Sequence, residues 1–338
     1  MVELDSKKRF FSTNQLAIII ILLTVTTVIL VVLYMERTRL STSEFTDGCS
    51  RLFGPGGSLI WDTDEVVAIW KPKSCALQYR STSEAVSCLK NVTKVPGKPP
   101  YVHFIGDSRL QQLRDGLLFA LTGYDYDGFA NRKAIKDPTH SVKTLKMLGA
   151  DIRFSWQAYL DSGAGPLTKL LKEISRSGRR PDVLVIGAGI WSVKDCQLKK
   201  RTQEECAIAY QKQFKTILPH LEEIAKDTDV IWMPQCAVNE KLLRGGDVGM
   251  GFTNRNMEIF NEMIKEALPK ESSVTYWQSA WESSLQMNDG IDGIHLGHQT
   301  THHLAQMLMN WMCGSTKGNS PTSIHRWNAI DDGAYCCG

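Results

Sequence analysis

Five short apolar runs alternate with helical patterns from residue 101 onward in this chain. The runs are Tyr101–Ile105, Asp151–Trp156, Asp182–Ile186, Asp229–Met233 and Val274–Trp277. They are rich in β-branched and aromatic residues and are bounded by turn-forming residues, which is typical of strands. Strands that alternate with helices form a parallel sheet with helices on both faces and right-handed crossovers. We therefore predict an α/β fold, a three-layer sandwich around a five-stranded parallel sheet.

The segments between these runs carry apolar residues at helical spacing, so each predicted helix has one face for the core. The stripes are Leu110, Leu113, Leu117, Leu118 and Leu121; Met257, Phe260, Met263, Ile264 and Leu268; and Leu304, Met307, Leu308, Trp311 and Met312. A further stripe, from Phe214 to Leu221, contains Pro219, which is expected to break or kink that helix. Residues 49–100 lack such periodicity and are rich in glycine, proline and cysteine. We interpret them as a disulfide-tied N-terminal subregion packed on the sheet.

An uncharged apolar segment of 19 residues runs from Leu16 to Tyr34. It is long enough to cross a bilayer as a helix, and no small-residue cleavage site follows it. Three basic residues precede it and two follow it closely, so the charge bias favours a cytoplasmic N-terminus only slightly. We predict a single-pass type II membrane protein. Residues 1–15 are its cytoplasmic tail, 16–34 its transmembrane signal anchor, 35–48 a stem and 49–338 a lumenal domain.

The nine cysteines point to an oxidising compartment, because several lie in polar, turn-rich surroundings. The alternative is a set of reduced cytosolic thiols buried as small hydrophobes. Cys196 and Cys206 flank one short polar loop and are predicted to bond to each other, whereas Cys236, in an apolar run, is the predicted free thiol. The other cysteines, which leave three bonds of unspecified connectivity, are Cys49, Cys75, Cys88, Cys313, Cys336 and Cys337. Asn91, in Asn-Val-Thr, is a glycosylation acceptor and agrees with a lumenal location.

The charges are nearly balanced, with 39 Lys and Arg against 36 Asp and Glu, a net charge of +3. No basic run is longer than Lys7-Lys8-Arg9. A nucleic-acid-binding protein normally concentrates basic residues on one surface. The sequence therefore excludes a dedicated nucleic-acid binder.

The first predicted strand runs directly into Gly106-Asp107-Ser108 and then into a predicted helix. In a parallel α/β sheet, the loops at the carboxyl ends of the strands form the active edge. A serine there lies at a helix N-terminus, where free N–H groups stabilise developing negative charge. The alternative is that Asp107 or Ser108 only caps the helix. We predict that Ser108 is a nucleophile.

Two Asp-x-x-His segments offer a base for this serine, Asp137 to His140 and Asp292 to His295. The first lies between a helix and the second strand, which puts it on the opposite edge of the sheet. The second follows the last strand and so returns to the edge of Ser108. We predict that Asp292 holds Nδ1 of His295 and that Nε2 faces the serine.

A metal site is the competing interpretation of this region, because four histidines lie within nine residues: His295, His298, His302 and His303. His298 and His302 have the spacing of a zinc pair. No His-Glu-x-x-His is present, and no nearby cysteine or carboxylate clearly supplies a further ligand. We predict no metal.

Together these motifs resemble the SGNH/GDSL hydrolase fold in its PC-esterase branch. More specifically, they are similar to the lumenal domain of the Golgi sialate O-acetyltransferase family (N-acetylneuraminate 9-O-acetyltransferases). The segments that carry the resemblance, in order, are WKPKSCALQY at 70–79, CL at 88–89, FIGDSR at 104–109, GAGIWS at 187–192, DGIHL at 292–296 and DGAYCC at 332–337. The resemblance covers about residues 45–338.

The resemblance implies a serine acetyltransferase in the Golgi membrane with its catalytic domain in the lumen. Acetyl would pass from acetyl-CoA, a co-substrate rather than a bound cofactor, to Ser108. It would then pass to a hydroxyl of a sialic acid, with CMP-sialic acid or a sialoglycan as acceptor. His295 would be the general base, and Asp292 would fix its tautomer.

Two departures from the family pattern affect these expectations. SGNH enzymes carry an oxyanion-binding asparagine after the third strand, but this chain has Gly187-Ala188-Gly189 there. We therefore assign the oxyanion hole to the backbone N–H groups of Ser108, Gly187 and Gly189. The polytopic membrane module of the family does not follow the domain in this sequence, so a separate polytopic partner is expected to supply acetyl-CoA.

Two other functions fit the same residues. With water as the acceptor, the same triad would belong to a sialate or polysaccharide acetyl-esterase. The second alternative is a membrane-anchored glycan-binding protein with an idle triad, although an intact Ser, His and Asp argue against idleness. No feature of the sequence separates the esterase from the transferase.

Overall fold

The computed structural model describes residues 50–62, 67–73, 75, 77–90, 92–123, 143–147, 149–314 and 336. The chain divides into a unit from Met1 to Asp47 and a unit from Gly48 to Gly338, and every described residue belongs to the second. Within this described part, no helix is both long and apolar enough to span a bilayer. The predicted tail, anchor and stem lie outside the described residues, and so does Asn91.

The described part of the chain contains eight strands and ten helices. The strands are β1 (Gly57–Asp62), β2 (Val67–Pro72), β3 (Tyr101–Gly106), β4 (Lys143–Met147), β5 (Ala150–Trp156), β6 (Val183–Gly187), β7 (Asp229–Trp232) and β8 (Val274–Tyr276). The helices are α1 (Ser50–Phe53), α2 (Thr82–Leu89), α3 (Ser108–Thr122), α4 (Pro166–Arg176), α5 (Ile190–Leu198), α6 (Gln203–Ala225), α7 (Gly245–Val248), α8 (Asn254–Ala267), α9 (Gln278–Met287) and α10 (His298–Gly314).

Six strands form the main sheet, in the order β4-β5-β3-β6-β7-β8. The five strands from β5 to β8 in this order are parallel, which confirms the predicted five-stranded parallel sheet. The sheet is nevertheless not purely parallel, because β4 pairs antiparallel with β5 at one edge. The sequence KTLKM of β4 lacks the continuous apolar character of a buried strand. Lysines are typical of an edge strand that must not pair with another chain.

The central strand β3 ends level with its two neighbours. Gly106 lies opposite Trp156 of β5 on one side and Gly187 of β6 on the other. A Cβ atom at position 106 would lie 2.2 Å from the carbonyl oxygen of Gly187, so only glycine fits at this crossing. The loops that leave β5, β3 and β6 therefore start side by side on one edge of the sheet.

Helices cover both faces of this sheet. On one face, α3 packs against α10, with α2 and α9 completing the layer. On the other face, α4, α5, α6 and α8 surround a second core. Residues of β6 alternate between the two cores: Val183 and Val185 face the first, and Leu184 and Ile186 face the second. The three-layer sandwich is confirmed.

Of the break or kink expected at Pro219, the break does not occur. Helix α6 runs from Gln203 to Ala225 with the proline inside it. Ile217 and Leu221, on either side of the proline, are fully buried in the second core. Their burial offsets the roughly 3 kcal/mol that a proline costs within a helix.

The N-terminal subregion packs mainly on α9 and α10 rather than directly on the sheet. Side-chain amides of α10 hold its extended segment 77–80 by the backbone. Asn310 donates to the carbonyl of Gln78 at 2.6 Å and accepts its N–H at 3.0 Å. Gln306 bonds to the backbone of Arg80 in the same way, at 3.2 and 3.0 Å. These pairs replace the strand partner that an extended segment otherwise needs.

Disulfide bonds fasten the same subregion. Cys88 of α2 is bonded to Cys313 of α10, and Cys75 is bonded to Cys336. The predicted local bond joins Cys196 to Cys206, and Cys236 is a buried free thiol, as expected. Cys49 and Cys337 lie outside the described residues.

Candidate active site

Ser108 is the first residue of α3, directly after the carboxyl end of β3. Asp107 is the N-cap of the helix, and its side chain accepts the backbone N–H of Arg109 at 3.0 Å. Because Asp107 caps the helix, the hydroxyl of Ser108 is free to make other contacts. Burial raises the pKa of Asp107, and the neighbouring charge of Arg109 opposes that shift.

The three predicted catalytic side chains form one hydrogen-bonded chain. Nε2 of His295 lies 2.9 Å from Oγ of Ser108, and Nδ1 lies 2.7 Å from Oδ2 of Asp292. The carboxylate accepts only from a protonated Nδ1, which leaves Nε2 as the acceptor for the serine hydroxyl. The structure thus brings together residues 187 positions apart in sequence, in the order serine, imidazole, carboxylate.

Asp292 also shapes the turn that carries the histidine. Its Oδ1 accepts the backbone N–H groups of Ile294 and His295, at 3.0 and 2.8 Å. Partial burial alone would raise the pKa of Asp292. The hydrogen bonds from the side chain and backbone of His295 and from Ile294 outweigh burial and hold that pKa well below its usual value. The carboxylate is therefore ionised and able to stabilise a protonated imidazole.

Two residues of α3 that were not predicted as site residues hold the histidine loop in place, the segment 288–297 that carries His295. The guanidinium of Arg109 donates to the carbonyl of Ile294 from Nε at 3.0 Å and from Nη2 at 2.9 Å. Its Nη1 donates to the carbonyl of Cys236 at 2.8 Å. Gln112, one turn further, donates to the carbonyl of Leu296 at 3.2 Å and accepts its N–H at 3.0 Å. The residues on both sides of His295 are thus bonded to the helix that begins with Ser108.

The sequence of α3 gives a partial signal for Arg109 and Gln112, because it shows their spacing but not their burial. Arg109 directly follows the serine, yet it is only 2% exposed. An arginine is almost never fully buried without partners, but sequence alone does not show that this position is buried. The spacing of Arg109 and Gln112 places them on one face of the helix, beside the leucine stripe.

The glycines assigned to the oxyanion hole have clear backbone roles. A Cβ atom on Gly187 would lie 2.4 Å from the carbonyl oxygen of Met233. Gly189 has φ +147°, a conformation that other residues rarely adopt, and it is the N-cap of α5. The hydroxyl of Tyr210 donates to the carbonyl of Ala188 and fixes this turn. Donation of these N–H groups and that of Ser108 to an oxyanion stays a prediction.

The four histidines of the competing metal interpretation have different neighbours. His295 belongs to the hydrogen-bonded chain, and His298 packs edge-on against Phe119 with ring centroids 5.8 Å apart. His303 is buried and shares a 2.5 Å hydrogen bond with the hydroxyl of Tyr79. Burial lowers the pKa of His302, and His298 adds to that effect. Across the described ranges, no group of three His, Cys, Asp or Glu side chains is arranged to hold a metal. Asp137 and His140 lie outside those ranges.

Comparisons with known proteins give relatives in sequence and neighbours in structure. No protein-family model matches the chain. A GDSL-like lipase from Parabacteroides merdae is 15% identical with a TM-score of 0.40, and covers 64% of this chain and 96% of its own. An acetylxylan esterase from Geobacillus stearothermophilus is 15% identical with a TM-score of 0.36, and covers 64% of this chain and 95% of its own. The strand order and the helices on both faces of the sheet define the fold.

One relative in sequence is a curated protein from Danio rerio, N-acetylneuraminate (7)9-O-acetyltransferase. It is 25% identical to this chain over 249 residues. The match spans 72% of this chain but only 29% of the length of the relative. The resemblance indicated by the motifs is thus confirmed: in sequence, this chain is similar to a sialate O-acetyltransferase.

Proposed function

We propose that this chain contains the acyl-transferring domain of a sialate O-acetyltransferase. The observation that carries the proposal is the hydrogen-bonded chain from Ser108 through His295 to Asp292 at the carboxyl edge of the sheet. An ionised carboxylate, an oriented imidazole and a serine at a helix N-terminus are the groups that acyl transfer requires. The sequence similarity to the Danio rerio acetyltransferase supports the choice of acetyl group and of a sialic acid as acceptor.

The first half of the proposed reaction loads the serine. Oγ of Ser108 attacks the carbonyl carbon of the donor, acetyl-CoA, while its proton passes to Nε2 of His295. The N–H groups of Ser108, Gly187 and Gly189 are the proposed donors to the oxyanion. The C–S bond then breaks, and the departing thiolate takes the proton from Nε2. This step leaves free coenzyme A and acetyl-Ser108.

The second half transfers the acetyl group. A hydroxyl of the sialic acid, in CMP-sialic acid or a sialoglycan, gives its proton to Nε2 of His295 and attacks the acyl carbon. The ester bond to Oγ breaks, and Ser108 takes back the proton. Throughout, Asp292 holds the Nδ1 proton and stabilises the imidazolium.

Hydrolysis is the second candidate, and one observation favours it. The side chains of His295 and Asp292 are 37% and 41% exposed, so water can reach the base. Water in place of the sugar hydroxyl would make the domain a sialate or polysaccharide acetyl-esterase. The two reactions share acetyl-Ser108 and differ only in the acceptor.

We also propose a Golgi membrane location with this domain in the lumen. The three disulfide bonds among the described residues are typical of an oxidising compartment. The apolar segment at 16–34 would be the anchor. Coenzyme A thioesters would reach the site through a polytopic membrane partner.

Intact-mass spectrometry of the full chain after incubation with acetyl-CoA tests the proposal. We expect an acetyl adduct on the peptide that contains Ser108, and acetylated sugar when CMP-sialic acid is added. Ser108→Ala should remove both the acetyl adduct and the acetylated sugar. His295→Ala should remove nearly all of both, because an unassisted serine hydroxyl is a poor nucleophile. Acetate release without sugar product would select the esterase.

His298→Ala is the matched control, because this histidine lies three residues further and packs on Phe119 outside the hydrogen-bonded chain. It should keep most of the activity. Full activity in Ser108→Ala would overturn the proposal.

A further inference from the structure

An aromatic cluster lies on the same sheet edge as Ser108 but belongs to the two neighbouring loops. Tyr159 follows β5, and Trp191 is in the first turn of α5, after β6. Their ring centroids are 6.5 Å apart. Nζ of Lys194, on the next turn of α5, lies 4.7 Å from the centre of the Trp191 ring. None of these side chains has a part in the acyl-transfer steps described above.

The two rings meet across the end of β3. Strands β5 and β6 are the neighbours of β3 on opposite sides, so their axes are about 10 Å apart. The loop after β5 stays close to β3, because the N–H of Gln157 donates to the carbonyl of Gly106 at 2.8 Å. Since Ser108 follows Gly106 by two residues, the loop that carries Tyr159 begins next to the strand end that carries the serine. His295 reaches the serine from the layer of α3 and α10, and the cluster belongs to the layer of α5 and α6.

The cluster presents apolar faces and one positive charge to solvent. Tyr159 is 43% exposed, and Trp191 is partly buried against the second core. The hydroxyl of Tyr159 donates to Asp195 at 3.4 Å, which orients the ring. Asp195 also pairs with Lys199 at 3.7 Å, and among the described residues no carboxylate is paired with Lys194. Among the described residues, Lys194 thus has a ring but no carboxylate as partner, and it lies beside one exposed and one partly buried ring. This arrangement fits a ligand that has both an apolar face and a negative charge.

We propose that Tyr159, Trp191 and Lys194 form the acceptor subsite, and that its ligand is an anionic pyranose. The rings pack on the apolar C–H face of the sugar, and Lys194 pairs with its carboxylate. This inference rests on the proposed function, since it places the acceptor hydroxyl next to acetyl-Ser108. It adds the residues that select a charged sugar over a neutral one.

Calorimetric titration of the full chain carrying Ser108→Ala, which cannot turn over, tests the subsite. The ligands are N-acetylneuraminate, its neutral methyl ester and galacturonate, a second anionic pyranose. We expect the acid to bind more tightly than the ester. Lys194→Gln should weaken binding of the acid about fivefold and bring it to the level of the ester. Trp191→Ala should weaken both about tenfold.

Two further variants distinguish an effect of the charge at position 194 from an effect of the net charge of the protein. Lys194→Arg keeps the charge and should restore the preference for the acid. Lys200→Gln makes the same charge change at an exposed position just after α5 and should leave the affinities unchanged. Thermal melting of each variant identifies any that does not fold.

The outcomes distinguish this inference from the proposed function. If acetyl reaches the sugar but Trp191→Ala and Lys194→Gln leave the affinities unchanged, the subsite is wrong and the function stands. If galacturonate binds through these residues and N-acetylneuraminate does not, the subsite stands and the proposed acceptor is wrong. If the protein that retains Lys194 binds the acid and the ester equally tightly, the proposed role of the lysine is overturned.

Discussion

His295 is held by its ring and by its backbone at the same time. Asp292 accepts Nδ1 at 2.7 Å and also accepts the backbone N–H of His295 at 2.8 Å. One carboxylate therefore sets both the tautomer of the ring and the position of the residue. A substitution that keeps the shape of Asp292 but changes its charge separates these two effects.

Asp292→Asn should lower kcat by roughly 10⁴-fold, because an amide can hold the imidazole in the wrong tautomer. The fold should be kept, since the asparagine carbonyl still accepts the turn N–H groups, and the stability loss should be about 1–2 kcal/mol. The measurement is the steady-state rate together with urea unfolding. Retention of activity within tenfold would show that the carboxylate does not orient the base.

Gln112→Ala should lower kcat about 10²-fold with little change in the KM for either substrate, because misplacement of His295 by about 1 Å is costly. Gln112 touches only the backbone of Leu296 in the histidine loop, so it is a positioning residue. Gln111→Ala is the control, since among the described residues the side chain of this neighbour makes no hydrogen bond with that loop. Equal effects of the two substitutions on kcat would contradict the positioning role.

At the scale of elements, β3 carries a buried histidine that does not belong to the active site. His103 is fully buried, with Nε2 2.9 Å from the hydroxyl of Ser155 and Nδ1 3.2 Å from that of Tyr101. Burial lowers the pKa of His103 to about 3, and the charge of Arg153 adds to the shift. The strand thus contains an imidazole that stays neutral in the folded protein.

The free energy of unfolding should fall as the pH falls from 7 to 5. The folded pKa of His103 lies below the unfolded value of about 6.5, so the unfolded chain binds one more proton in this range. This residue alone should cost about 2 kcal/mol between pH 7 and pH 5. Urea unfolding of the wild type and of His103→Gln at pH 7 and pH 5 measures this change in the free energy of unfolding. A variant as pH-sensitive as the wild type would contradict the assignment.

The elements that sequence predicted well are those buried on both sides. β3, β6 and β7 are nearly continuous apolar runs because helices cover both faces of the sheet. β5 instead alternates apolar residues with Asp151, Arg153 and Ser155. β4 was missed because an edge strand needs no such run. The continuity of α6 through Pro219 was missed because tertiary burial, which overrides local propensity, is not visible in a local pattern.

The part of the candidate site that the order of strands and helices determines could be predicted from the sequence. Connectivity alone puts Ser108 and His295 at the same edge of the sheet, and a three-residue spacing lets Asp292 reach the ring. The roles of Arg109 and Gln112 depend on which face of α3 meets the histidine loop. Sequence gives the face of a helix but not its partner, so these residues came from the structure.

At the scale of the whole molecule, the two ends of the described domain are fastened to each other. Cys88 and Cys313 are 225 positions apart, and Cys75 and Cys336 are 261 apart. Both bonds join the N-terminal subregion to the segment that begins with α10. By contrast, Cys196 and Cys206 are separated by only 10 positions.

Removal of the Cys88–Cys313 bond should cost more stability than removal of the local bond. A disulfide stabilises mainly by restricting the unfolded chain, by about 3 kcal/mol for a short loop. With Cys75–Cys336 still closed, the Cys88–Cys313 bond closes a loop of roughly 40 residues, for which the same relation gives about 4 kcal/mol. The two bonds differ chiefly in loop length, since three of their four cysteines are buried and Cys206 is partly buried. Urea unfolding of Cys88→Ala/Cys313→Ala and of Cys196→Ala/Cys206→Ala gives the two losses, and thiol titration confirms that the other bonds remain. Equal losses would mean that loop entropy does not set the contribution of the Cys88–Cys313 bond.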